Sequence, residues 1–150
     1  MQSIFHPQTI DSFKKRIQKI DPNANAQWGK MNTFQMLKHC SENDRMLLRQ
    51  RQLRRLFIGR LFGKMALRSN IKDDKPLSKN SPTHPDLVIR DNGDAEAQKK
   101  IWLSLLDQYP SMQTSDYVDF VHPFFGKMSA GQVGKFAFKH IDHHLRQFGV

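Results

Sequence analysis

Thiol chemistry is nearly missing from this sequence: Cys40 is the one cysteine in 150 residues. A single thiol excludes an internal disulfide framework and any cysteine-only zinc site built from one chain, and it fits a reducing cytoplasm. Apolar runs reach only a few residues, so no transmembrane helix is expected. The opening MQSIFHPQTIDSF lacks a basic segment followed by an apolar one, so no secretory signal is expected there. No glycine-rich phosphate loop, nucleotide fingerprint or defensible Ser-His-Asp order occurs. Internal repeats, low-complexity tracts and a strand-rich region are absent too.

What is there suits a soluble globular chain, with 38 % hydrophobic and 25 % charged residues. The length suits one compact domain, residues 1–150, with a real core. The net charge is +10, and much of it lies in one place. Between Arg45 and Arg68 stand eight basic residues and no acidic one. Such a stripe attracts nucleic acid, anionic lipid or an anionic substrate, although a solvated helix face is its more common role.

Four principal helices are expected. The first spans about Thr9 to Ile20, with Thr9 as its cap and Ile10, Phe13, Ile17 and Ile20 on one face. Asp21-Pro22 stops it. The second starts near Asn32, a good capping residue. Its apolar pattern continues through Leu53, Phe57, Leu61 and Met65, with arginines on the other side and a bend or break at Gly59 and Gly63. That stripe can serve the core or a dimer interface, and it points away from a free nucleic-acid-binding arm. Residues 70–93 carry Pro76, Pro82 and Pro85 and form a long irregular connection, a candidate cover over one end of the helices. The third helix spans about Asp94 to Tyr109, with Ala97, Ile101, Trp102, Leu105 and Leu106 inward. Residues 110–128 are irregular. The last helix starts at Ser129, where Ser129 and Gln132 have capping-box spacing, and ends at Gly149. The fold class is all-α, a four-helix bundle.

Seven histidines are present, and three crowd the last helix. Val133, Phe136, Ala137, His140, Ile141, His144, Leu145 and Phe148 fall on one broad face. His140 and His144 therefore interrupt an apolar stripe, with Cβ atoms about 5–6 Å apart. His143 falls on the polar side, beside Lys139 and Gln147. Burying two bare imidazoles costs free energy unless each finds a partner. A divalent metal is one partner, since neutral imidazole binds zinc, nickel, copper and iron. Hydrogen bonds to carbonyls or buried water are the alternative. A third ligand from a facing helix would complete a catalytic-type site, and His39 is the histidine of the second helix. Ile141 stands where a His-Glu-x-x-His protease needs its glutamate, so that chemistry is disfavoured.

The segments QWGKMNTFQMLKHCSEN and HPFFGKMSAGQVGKFAFKHIDHHLRQFG resemble the DinB/YfiT-like superfamily. More narrowly, they resemble a branch catalogued as a domain of unknown function. The resemblance covers nearly the whole chain. It implies a four-helix bundle with a three-histidine metal site, whose ligands by position are His39, His140 and His144. Three neutral ligands leave the metal charge uncompensated, which favours a Lewis-acidic site for water, hydroxide or a thiolate. Zinc and nickel come first among the metals. The resemblance further implies a metal-dependent enzyme acting on a small molecule, with water or a thiol, such as a low-molecular-weight thiol, activated for transfer or hydrolysis. The rival is a non-enzymatic module, dimeric or docking an anionic partner through the basic helix, with the histidines empty or structural.

Other residues carry weaker expectations. His122, before Pro123, is a candidate general base or a group behind the ligands, with loop packing as the alternative. Asp142 and Glu42 could orient a ligand imidazole or sit in solvated ion pairs. Cys40 reads as a buried apolar-like residue. Trp28 and Trp102 read as core or pocket walls. His6 and His84 sit in His-Pro loops and belong to no visible constellation.

Overall fold

The computed structural model describes residues 2–150. Its five α-helices are α1 (Pro7–Gln18), α2 (Thr33–Leu47), α3 (Phe57–Ile71), α4 (Ala95–Leu106) and α5 (Ala130–Gln147). Short 3-10 turns cover Pro85–Leu87, Tyr109–Ser111 and Thr114–Tyr117. Two strands, β1 (Val121–His122) and β2 (Gly126–Lys127), pair antiparallel with Val121 opposite Lys127. The chain is thus mostly helical, with a small hairpin that the sequence pattern did not announce.

The helices α1, α2, α4 and α5 share one core. α2 packs on α4 and α5, and α1 packs on the same two helices. Ile10, Phe13, Ile17, Met36, Leu37, Trp102, Leu106, Val133, Ile141 and Leu145 are buried between them. α3 stands outside this group, against α5 and the hairpin.

Sequence chemistry sets the helix ends. α2 and α5 both start on capping boxes, Asn32 with Gln35 and Ser129 with Gln132, each satisfying two otherwise unpaired amides. α1 begins earlier than expected. Pro7 supplies a pre-set φ in the first turn, so Thr9 lies inside the helix, buried, and does not cap it. Two buried lysines serve other helices' ends. Lys99 Nζ donates to the Ile20 carbonyl at 2.7 Å, just beyond α1, and Lys139 Nζ donates to the Asn70 and Asp73 carbonyls around the end of α3. Lys139 and Gln147 were expected on a polar side of α5, yet both are buried.

The long second helix is in fact two. α2 ends at Leu47 with Leu48 as its C-cap, and Arg49 takes a left-handed conformation at φ 63°. Arg49 N–H then donates to the Met46 carbonyl and Gln50 N–H to the Arg45 carbonyl, the paired bonds of a Schellman motif. The Arg49 guanidinium is held by Asp119. Gly59 and Gly63 do not break the chain. α3 runs through both, and they are buried against the hairpin turn. A Cβ on Gly59 or Gly63 would lie 2.4 or 2.1 Å from the Phe124 carbonyl oxygen, so only glycine allows this approach. Consequently Gly59, Gly63 and Leu67 form the inner face, whereas Phe57, Leu61 and Met65 point outward.

α4 is also rotated from expectation. Ala97 and Ile101 are exposed, and Gln98 and Lys99 are buried beside Trp102, Leu105 and Leu106. The polar pair goes inside because each finds a partner there: Gln98 Nε2 donates to Ser41 Oγ at 2.9 Å, and Lys99 caps α1.

Candidate metal centre

α2 and α5 bring His39, His140 and His144 together. Each offers a ring nitrogen, and these three atoms lie within 4.8 Å of one another. The ring centroids are 5.2 Å apart for His39 and His140, 4.8 Å for His39 and His144, and 4.7 Å for His140 and His144. The one-turn spacing on α5 makes the His140–His144 pair, and the packing of α2 on α5 delivers His39.

The hydrogen bonds around the trio fix its protons. His39 Nδ1 lies 2.9 Å from the Leu87 carbonyl, which can only accept, so Nδ1 carries the proton and Nε2 presents a lone pair. Gln147 fixes His144 in the same way. Its Nε2 donates to the Trp28 carbonyl at 2.8 Å, which turns its Oε1 toward His144 Nδ1, also at 2.8 Å. His144 therefore carries its proton on Nδ1 and leaves Nε2 bare. His140 Nε2 stands 3.1 Å from His39 Nε2, and His140 Nδ1 is buried with no partner among the described residues. The cluster thus has a shortage of protons. If His140 Nε2 donates to His39, the buried Nδ1 lone pair has no donor. If Nδ1 holds the proton, two lone pairs face each other. A cation between the Nε2 atoms removes the facing lone pairs of the second arrangement, with the buried His140 Nδ1–H still lacking an acceptor, and imidazole nitrogens suit a divalent transition metal.

Electrostatics favour neutral ligands. Burial is the first cause that lowers the pKa of His39, His140 and His144, and neighbouring histidines lower each further. Neutral imidazole is the form a metal takes up. His39 and His144 are almost fully enclosed, and the ring of His140 is buried with them. Phe136 lies 5.8 Å from the His140 ring, and Trp28 stands edge-on to His143 at 5.5 Å. Lys79, from the 70–93 connection, sits over Trp28 at 4.3 Å. That connection covers one side of the cluster, and Leu87 is its buried anchor.

The remaining candidates fall elsewhere. His122 is buried on the hairpin, stacked 4.5 Å from Phe125 and edge-on to Phe136. Its Nδ1 accepts the amides of Phe124 and Phe125 at 3.1 and 3.2 Å, and burial beside Arg55 lowers its pKa to about 3. The lone pair a general base needs is therefore occupied by the turn. Asp142 pairs with Arg16 and Arg146, and Glu42 pairs with Arg45 and Arg51, so neither carboxylate reaches a ligand imidazole. Cys40 is fully buried beside Met36, and burial raises its thiol pKa well above the ordinary range. His84, expected to stand alone, is buried: its Nε2 donates to the Arg54 carbonyl and its Nδ1 accepts the Asp86 amide. His6 stays exposed.

Two groups that orient the trio went unread in the sequence. Gln147 sits three residues after His144, a spacing at which helical side chains meet, and that signal was available. The Leu87 carbonyl left none, because a backbone acceptor in an irregular connection has no residue-type signature.

The profile of the family described as "Protein of unknown function (DUF1569)" matches residues 5–149, and the chain belongs to that family. No curated protein and no solved structure matches the chain.

Proposed function

For this member of the DUF1569 family, we propose a divalent transition-metal centre held by His39, His140 and His144. The protein would be a small metal-dependent enzyme of the DinB/YfiT-like, four-helix type, acting on a small molecule in the cytoplasm. Zinc or nickel bound there would supply Lewis acidity toward water or a low-molecular-weight thiol, for hydrolysis or group transfer.

The observation that carries this reading is the proton shortage within the trio. Leu87 and Gln147 each take an N–H outward and leave Nε2 of His39 and His144 bare, toward a point that His140 also reaches. Groups that fix ligand tautomers in this way are typical of metal sites. The other residues have supporting parts. Phe136 walls the His140 side, and His122 holds the hairpin turn behind it. Three ligands leave a coordination position for a reactant.

A second reading, a module that docks an anionic partner through the basic segment, is favoured by the outward face of α3 and is compatible with the metal centre. The thiol chemistry has a direct test. Cobalt(II)-loaded protein titrated with a low-molecular-weight thiol should change its visible absorption, and His140→Ala protein should not. An unchanged spectrum at saturating thiol would reject the thiol and leave hydrolysis as the chemistry of the site.

A further inference from the structure

The helix α3 shows four stripes of period four. Gly59, Gly63 and Leu67 are buried against the hairpin and α5. The stripe roughly opposite, Phe57, Leu61 and Met65, is 75, 65 and 66 % exposed. Ile58 and Phe62 flank it on one side, also exposed. Arg60, Lys64 and Arg68 flank it on the other, about 100° away at one residue's rotation. No acidic residue occurs anywhere in the helix. Lys64 donates to the Lys127 carbonyl, whereas Arg60 and Arg68 make no ion pair among the described residues.

Five large apolar side chains in a contiguous outward band exceed the scattered exposure that solvent-facing helices usually show. Charge decides what covers them. A second copy would bring together two chains of net charge +10, each with the same basic stripe beside the contact. An anionic surface would instead be attracted by that stripe. Shape points the same way. The band is the crest of a helix and not a groove, so it can sink into a soft surface but offers no cleft to a peptide. Apolar crest beside basic flank is the arrangement of helices that lie in a lipid interface, with arginine and lysine stems running along the apolar surface to charged headgroups.

The geometry points to α3 as a docking face for an anionic lipid bilayer surface, with Phe57, Leu61 and Met65 entering the headgroup boundary and Arg60 and Arg68 pairing with lipid phosphates. Among the described residues no helix is long and apolar enough to cross a membrane, and the proposed contact is a peripheral one.

Vesicle co-sedimentation of the full chain tests this. The wild type should bind phosphatidylcholine vesicles containing phosphatidylglycerol and bind pure phosphatidylcholine about tenfold less tightly, or weaker still. Phe57→Ser/Leu61→Ser and Arg60→Gln/Arg68→Gln should each lose about tenfold or more, with unchanged far-ultraviolet circular dichroism. All four side chains lie outside the core, so the fold should tolerate these changes. Failure of the wild type to bind anionic vesicles at low salt would overturn the proposal. So would variants that bind like the wild type. A stable dimer in sedimentation equilibrium that Leu61→Asp dissociates would also overturn it, assigning the face to a second copy.

Discussion

Gln147 decides which way the His144 ring presents its lone pair. It is buried, and its amide bridges the Trp28 carbonyl and His144 Nδ1. Gln147→Leu keeps the apolar volume but leaves both groups unpaired. Metal affinity, measured by competition with a chelator, should fall about 10–100-fold. Asp44 makes a different prediction. It is fully buried, accepting from Trp102 Nε1 at 2.7 Å and Tyr109 Oη at 2.9 Å, and burial raises its pKa to about 7. The unfolded chain releases this proton near the ordinary 3.8. Stability from this group is therefore complete below the lower value and is lost as pH rises toward about 7. Urea unfolding of wild type and Asp44→Asn across pH 4–8 isolates the effect. Wild type minus variant should fall through that window and level off above it. At this scale the sequence was most legible in His39, His140 and His144, because two stood at one-turn spacing in an apolar stripe. Asp44 was invisible, because its donors Trp102 and Tyr109 come from a helix and a turn far along the chain.

The misassigned faces of α3 and α4 have one physical source. Helix periodicity reports that a face is apolar, not which neighbour it meets. The four-residue spacing from Leu53 to Met65 was real, but the chain turned at Arg49 through a Schellman motif without the usual glycine. Once α3 was a separate helix, close approach to the Phe124 backbone selected its glycine stripe as the inner face. Asn32 and Ser129 begin their helices as their capping chemistry indicates, whereas Thr9 lies inside α1 because Pro7 starts that helix earlier. The corrected face of α3 predicts unequal costs. Gly63→Ala, whose methyl meets the Phe124 carbonyl, should cost about 1–3 kcal/mol by overpacking. Leu61→Ser, on the exposed crest, should change stability by less than about 0.5 kcal/mol. Denaturant midpoints of the two variants check both values.

Across the whole molecule, the trio ties together parts that are distant in sequence. His39 comes from α2, His140 and His144 from α5, and the Leu87 carbonyl from the connection between α3 and α4. A metal that binds only the folded arrangement stabilises it by mass action, about 4 kcal/mol at a thousand times its dissociation constant. The thermal midpoint should therefore rise when zinc is added to chelator-treated protein and fall back on chelation. Elemental analysis of untagged protein, wild type beside His140→Ala, decides whether the trio holds a metal. The wild type should carry near-stoichiometric divalent transition metal, and the variant should lose it. Wild-type protein that carries no metal and takes up none on titration at neutral pH would contradict a metal centre there.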